Sequence, residues 1–382
     1  MSNTRILKAV HIGLSVGHAG SFDDSKPRLI HDFRRLEGVE VVAYCELYDP
    51  SYLDDAKKHH PNANVYSSVD DLIANEEFDL ACVVLLPRDV PDALLKLANA
   101  GKHFMVDKQF AHKSEDLHEV VRAVRRNKLT TFLAYPVRFH PAMQDLRGLI
   151  DEGVMGDPLF VEGRFVTGQV GGPHGSDPLG VPYRMETEGG GNLHYVGCHL
   201  LDGMRYLMGC EIKSVQAMNG RPLGYIEEPI EDLSILALEY ENGGYGSLVC
   251  GYMSARGAPE WDRGLVFRGA EGQANWTPML APRLEVSSAS EKWSGSPEKV
   301  IDYTLPAVPA FAFPVPGGPV DQSSGTIGRV WFHNWIRRFV DDVRAGDRGV
   351  LTIDDALYVL QSIDAAYESA RTGRRVEVNY GL

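Results

Sequence analysis

Basic side chains are in short supply. Against 52 Asp and Glu there are 38 Lys and Arg, a formal net charge of −14 over 382 residues. The acidic residues are scattered rather than blocked, and no basic face is offered to a nucleic-acid backbone or an anionic membrane surface. No nucleic-acid or membrane partner is expected. Cysteine is scarce as well. The five (Cys45, Cys82, Cys198, Cys210, Cys250) are odd in number, widely spaced and contain no CxxC pair, which argues against a disulfide framework or a structural zinc site. No His, Asp and Glu group shows ligand spacing, so no metal is expected. Apolar runs stay well short of a membrane span. Met1–Arg5 is too short for a secretory signal before the first apolar run, so the expected compartment is the cytoplasm. No internal repeat is visible.

What is present is enough apolar material for a sizeable core: 44% of the chain is hydrophobic, and that content at this length points to two domains. Up to about residue 135, short apolar runs alternate with helical stretches, the pattern of a doubly wound α/β unit. The first run, Ile6–Ile12, feeds Gly13-Leu14-Ser15-Val16-Gly17-His18-Ala19-Gly20. A strand entering a glycine-rich turn opens a dinucleotide-binding βαβ unit, because glycines let backbone N–H groups approach a pyrophosphate. Gly13, Ser15, Val16, Gly17 and His18 are the candidate contacts. The spacing is G-x-x-x-G-x-x-G, with Ser15 where a second glycine is expected, and Ser21–Ser25 delays the next helix to about Pro27. The second run, Val39–Cys45, ends at Glu46, whose carboxylate can accept hydrogen bonds from the adenosine ribose hydroxyls and repels a 2′-phosphate. Leu47 and Tyr48 follow, so no adjacent cation invites that phosphate and NAD is favoured over NADP.

Helices are expected at Ser51–His59, Ser68–Asn75, Val90–Ala100 and Ser114–Asn127, between strands at Asp79–Leu86, His103–Val106 and Thr130–Ala134. The run Asp79–Leu86 stops at Pro87, and His103–Val106 stops at Asp107-Lys108-Gln109. A lysine just past the C-terminal end of a parallel strand lies on the edge where open α/β sheets bind ligands; an ordinary surface lysine is the alternative. Tyr135-Pro136-Val137-Arg138-Phe139-His140-Pro141 then forms a rigid turn presenting an Arg and a His, or a domain connection, before a helix over Ala142–Glu152.

Beyond residue 155 the pattern changes. A strand over Leu159–Val166 leads into Gly168–Gly180, dense in Gly and Pro, with His174 and Asp177, and then Tyr183 and Arg184. A loop of this length inside a domain suits a binding lid. Three glycines, Gly189 to Gly191, precede a helical stretch on which Val196, Leu200, Met204 and Leu207 fall on one stripe and Tyr195, His199 and Asp202 on another. Such a polar stripe either faces solvent or a site. Strands follow at Ile212–Met218, Asp232–Tyr240, Tyr245–Met253, Leu265–Arg268 and Arg283–Val286, an open and mainly antiparallel sheet. A proline-rich segment, 305–319, and two helices, Arg329–Ala345 and Ile353–Thr372, close the chain. The expected fold is α/β, with a Rossmann domain at 1–135 and an α/β domain with that open sheet at 136–382, the closing helices being able to pack back on the first domain.

Taken in order, these motifs resemble the Gfo/Idh/MocA family of oxidoreductases over nearly the whole chain. They comprise the N-terminal βαβ, Asp107-Lys108-Gln109 in place of Glu-Lys-Pro, Tyr135…Arg138-Phe139-His140-Pro141, Gly189-Gly190-Gly191…Gly197-Cys198-His199…Asp202, and Ala366-Tyr367…Thr372-Gly373-Arg374. The resemblance implies NAD(P) on the Rossmann domain, an open sheet often used for oligomerisation, and hydride transfer at a sugar or polyol carbinol; the open sheet itself favours a homodimer or homotetramer over a monomer. Lys108 matches the active-site lysine, whose cation stabilises a developing alkoxide, and His199 the histidine that accepts a proton or holds the hydroxyl. Asp107 then contacts the nicotinamide ribose, and Leu86 and Pro87 stand in the cofactor turn.

There are departures. Tyr195 stands where the family often has an Asp, so acid–base work falls to Tyr195, to His199 or to both. The turn Leu86-Pro87-Arg88-Asp89-Val90-Pro91 lacks the family's His. Arg138, His140, His174, Tyr183 and Arg184 are candidate substrate contacts, suited to an anionic group on the sugar. Three functions fit: net oxidation of a carbohydrate; an NAD-dependent glycosidase that oxidises, eliminates, adds water and re-reduces; and a non-catalytic protein that retains NAD.

Overall fold

A computed structural model describes residues 5–16, 22, 33–167, 191–223, 230–253, 262–277, 283–293, 298–303 and 324–382. The chain divides into two compact units. The first comprises residues 1–134, 308–321 and 332–357, and the second the remainder.

Among the described residues, the first unit carries six strands: β1 (Leu7–Ile12), β2 (Val39–Cys45), β3 (Asn64–Tyr66), β4 (Leu80–Val83), β5 (His103–Val106) and β6 (Thr131–Leu133). They form one sheet in the order β3-β2-β1-β4-β5-β6, parallel throughout. The crossover helices are α1 (Ser51–His59), α2 (Val69–Asn75), α3 (Val90–Asn99) and α4 (His118–Asn127). Continuous apolar runs make such strands because both faces are covered; all four residues of β4 are buried. Ser68 starts α2 by accepting the Asp71 N–H at 3.1 Å, satisfying a donor that the helix end leaves over. Phe339, from a closing helix, fills this core: its ring lies 6.4 Å from Phe33 and 6.0 Å from Phe132.

The second unit holds α5 (Pro141–Asp151), β7 (Pro158–Val166), α6 (Cys198–Met208), β8 (Ile212–Gly220), β9 (Leu233–Tyr240), β10 (Tyr245–Gly251), β11 (Asp262–Gly269), β12 (Gly272–Thr277), β13 (Arg283–Ser288), β14 (Glu298–Asp302) and β15 (Val376–Glu377). Among the described residues its strands form one sheet, ordered β14-β13-β12-β11-β7-β10-β9-β8-β15. Only β7 and β10 run parallel there; the other pairs are antiparallel. Its strands alternate buried and exposed residues, as one covered face requires. Helix α6 lies on β7, where Gly163 lets it approach: a Cβ there would sit 2.8 Å from Met204 Sδ and 3.2 Å from Leu200 Cδ1. The apolar stripe expected on this helix, Val196, Leu200, Met204 and Leu207, is buried.

The strands β3, β12, β14 and β15 are additions to the sequence reading. Gly-Gln-Ala-Asn-Trp-Thr is a poor strand former by composition; β12 exists because β11 and β13 pair with it on both sides. The last two helices are α7 (Ser324–Ala345) and α8 (Ile353–Thr372). α7 begins five residues before the expected Arg329, through a first turn containing Gly325 and Gly328, which have low helix propensity. The lid segment and the proline-rich segment lie outside the described residues.

Phe339 is 1% exposed. Phe339→Ala is expected to lower unfolding stability by about 3–5 kcal/mol through the cavity it leaves, read as a shift in the urea midpoint at unchanged slope.

Candidate active site

In the first unit the candidate residues lie at the C-terminal edge of the parallel sheet. The strand order changes direction between β1 and β4, the switch point at which open α/β sheets leave a ligand crevice. Gly13 leaves β1 there with φ +84°, and a Cβ on it would overlap the Val84 carbonyl. Any other residue is therefore strained there by conformation and by contact. On the neighbouring turn, Tyr48 accepts the Leu86 N–H at 3.0 Å and donates to Asp89 Oδ2 at 2.8 Å. Lys108 is half-buried just past β5, beside buried Asp107.

Glu46, the expected ribose acceptor, is engaged by the turn that follows β1. Its carboxylate accepts hydrogen bonds from Leu14 N (2.5 Å), Ser15 N (2.9 Å), Ser15 Oγ (2.7 Å), Tyr48 N (2.8 Å) and Asp49 N (3.2 Å). Five donors exceed the roughly four lone-pair directions of a carboxylate. The negative charge is spent on closing the glycine-rich turn, with Ser15 as a partner that a glycine could not be.

In the second unit the candidate residues are built around the stretch from Gly191. It does not start as the expected α-helix. Leu193–Gly197 is a π turn, closed by Cys198 N–H to Leu193 O, and α6 continues from Cys198. π turns of this sort recur at functional sites. The stripe of Tyr195, His199 and Asp202 is divided in the tertiary structure. Tyr195 is buried at 4% exposure. From Gly191 to Arg205, His199 is the one residue not fully buried. Its ring meets Tyr135 edge-on at 5.8 Å and Phe165 at 6.3 Å, and Phe165 lies under the Arg263 guanidinium at 4.2 Å. Asp202 is wholly buried and pairs with Arg138 through both Nε, at 3.0 Å, and Nη2.

Two expected substrate contacts, Arg138 and His140, have partners inside the second unit. Arg138 is committed to Asp202 and stacks over Tyr206 at 5.1 Å, because a buried guanidinium needs a carboxylate more than an exposed one does. His140 is buried and caps α5, its Nδ1 accepting the Ala142 N–H at 3.1 Å. Its ring packs on Trp276 at 5.2 Å and Tyr303 at 5.6 Å. Burial, helped by the nearby Arg263 charge, lowers its pKa to about 4, so the imidazole is neutral around pH 7. Gly17, His18, His174, Tyr183, Arg184, Gly189 and Gly190 lie outside the described residues. Among the described residues, no group of three or more His, Cys, Asp or Glu could hold a metal ion, and no helix is long and apolar enough to cross a membrane.

Two family models match. Residues 16–135 fit the oxidoreductase family's NAD-binding Rossmann fold, and residues 143–275 the GFO/IDH/MocA C-terminal domain. The chain belongs to the Gfo/Idh/MocA oxidoreductase family. An uncharacterized oxidoreductase of Streptococcus pneumoniae is 26% identical over 57% of this chain and 57% of its own length. D-apiose dehydrogenase of Paraburkholderia graminis is 25% identical over 91% of this chain and 86% of its own. A levoglucosan dehydrogenase solved with NADH and levoglucosan superposes with a TM-score of 0.77 at 19% identity, covering 97% of this chain and 99% of that one; it shares the fold. The chain thus spans little more than half the length of the first of these relatives.

The cofactor of this Gfo/Idh/MocA protein is NAD. The residues present fit it: Gly13, with φ +84° and no room for a Cβ, makes the tight turn at the switch point that a dinucleotide site needs, and Leu14 and Ser15 after it are held by Glu46.

Asp202→Ala is expected to cost about 3–5 kcal/mol, since it removes a buried carboxylate from a buried guanidinium. Adding Arg138→Met should recover most of that loss, and a double-mutant cycle in urea reads the coupling. His140 also gives stability a pH slope. Its folded pKa lies below the ordinary 6.5, so the unfolded chain binds more protons between these values. Stability should fall by roughly 3 kcal/mol as pH drops from 6.5 to 4. His140→Asn, which retains a capping oxygen, should flatten that limb in urea titrations at pH 4.5 and 7.

Proposed function

We propose that the chain oxidises a carbinol of a sugar, polyol or glycoside, with Lys108, His199 and Tyr195 as its working groups. The observation that carries the reading is His199. It is the one residue not fully buried on a long buried stretch, its ring is bracketed by two aromatic side chains, and it belongs to a chain whose other unit is an NAD-binding Rossmann fold. The sugar substrates in the printed names of D-apiose dehydrogenase and levoglucosan dehydrogenase support the same class.

NAD, when bound, supplies a nicotinamide that takes up hydride. The rest falls to the protein. The Nζ of Lys108 donates a hydrogen bond to the reacting oxygen and offsets the negative charge that develops on it. His199 takes the hydroxyl proton, imidazole being the side chain whose ordinary pKa lies nearest neutrality. Tyr195, about one helical turn earlier in the chain, hands the proton on or orients the imidazole. Asp107, Leu86, Pro87, Ser15 and Val16 line the cofactor side. His174, Tyr183 and Arg184 serve the sugar, including any anionic group on it. The open sheet of the second unit, which exposes Met218 and Ile235 as a cross-strand pair, suits a homodimer or homotetramer, and the protein works in the cytoplasm.

Lys108→Ala and His199→Asn should each lower kcat by about 10²–10⁴-fold while NAD affinity stays within a few-fold. NADH absorbance with a panel of aldoses, inositols, anhydrosugars and uronates checks this. Wild-type protein that binds NAD but reduces none of it with any member would sink the reading. NAD-dependent cleavage of a glycoside without net NADH would instead establish the elimination route.

A further inference from the structure

The third glycine of the triplet and the tyrosine near the end of α8 take no part in the chemistry above, yet they meet. Glu231, on the approach to β9, is 5% exposed. Its Oε1 accepts the Leu193 N–H at 3.1 Å and the Tyr367 hydroxyl at 2.9 Å. A Cβ on Gly191 would overlap both Glu231 oxygens and the Tyr367 hydroxyl, so the glycine is there to let a carboxylate and a phenol close against the backbone. The same corner is tied from other directions. Asn192 Nδ2 donates to Glu231 O at 3.4 Å, and the Cys250 thiol to Asn192 Oδ1 at 2.9 Å. His194 stacks on Tyr367 at 5.4 Å and 22°. Gly197, at the far end of the π turn, is pressed on β10: a Cβ there would lie 3.0 Å from Cys250 Sγ and 2.8 Å from Leu193 Cδ1.

Three distant segments of the chain therefore converge on the first turn of the stretch that carries Tyr195 and His199. An isolated π turn is a poor competitor of the α-helix, and its first N–H groups have no partner within the helix. The Glu231 oxygen supplies one from outside, and Tyr367 holds that oxygen in place. We propose that Glu231 and Tyr367 are positioning residues, a buried hydrogen-bonded lock on Gly191–Leu193 that keeps the π turn wound and so sets where Tyr195 and His199 point. The proposal rests on the assignment of those two residues to the reaction. Neither Glu231 nor Tyr367 touches the reacting atoms; both act through the turn.

The test uses the full chain with two readouts. Tyr367→Phe removes one hydroxyl and keeps the ring stacked on His194. It is expected to lower kcat about tenfold with the KM for sugar and the affinity for NAD unchanged, and to speed amide hydrogen exchange in the 191–200 peptide about tenfold while 203–208 stays protected. Gly191→Ala should do both more strongly, with about a 100-fold loss in kcat; if it fails to fold, Tyr367→Phe still decides. Exchange that does not change, or that rises across the whole second unit, overturns the lock. So does a raised KM at unchanged kcat. Wild-type protein that oxidises no carbohydrate would overturn the functional reading alone, and the exchange experiment would still judge the lock.

Discussion

A carboxylate taken entirely out of water organises the second unit. Asp202 has no exposed surface, and the guanidinium of Arg138 that faces it is nearly as deep. Withdrawing two charges from solvent costs several kcal/mol each, recovered only when geometry and hydrogen bonding are good. A pair with Nε and Nη2 both engaged meets that condition, and misdocked arrangements that separate the charges are heavily penalised. The 3₁₀ turn Pro136–Phe139 is thereby held on α6. Tyr135, one residue ahead of that turn, is then set edge-on against His199. Arg205 continues the chain of charge, 3.8 Å from Asp202 and paired with Glu211 at 2.5 and 2.6 Å. The motif Asp is thus not a member of a polar face but the anchor that orients its neighbour.

Glu46 shows the same logic in the first unit. A carboxylate at the end of β2 reads, from position alone, as a ribose acceptor. In the folded chain its lone pairs are taken by the backbone of the turn that follows β1. A glycine-rich turn offers several N–H groups and little else to hold it, so an internal anion gives it shape. Glu231 repeats the device at the π turn. In each unit a buried carboxylate fixes a glycine-marked turn at the edge of the functional region, and the side chains that would do chemistry sit just beyond it.

Much of this was legible beforehand. Continuous apolar runs betray strands buried on both faces, so β1, β2, β4, β5 and β6 stood out, as did the glycine turn and the Lys at the end of β5. Strands such as β12 and β14 did not. Their residues carry little intrinsic preference, and they become strands because a neighbour offers a ladder. The π turn was equally hidden, since it has the same residue types as an α-helix and is selected by an outside acceptor for Leu193 N–H. A signal for the Glu231–Tyr367 contact does exist in the third glycine, but a glycine says only that room is needed, not what fills it.

Local pattern, then, determined the class of fold, the order of the motifs and the residue types offered for chemistry, because periodicity and backbone freedom are properties of neighbours along the chain. Which of those polar residues are free to work was decided only by folding. Arg138, His140, Glu46 and Asp202 acquire burial and long-range partners that no local pattern announces, since the cost of desolvating a charge depends on what meets it in three dimensions.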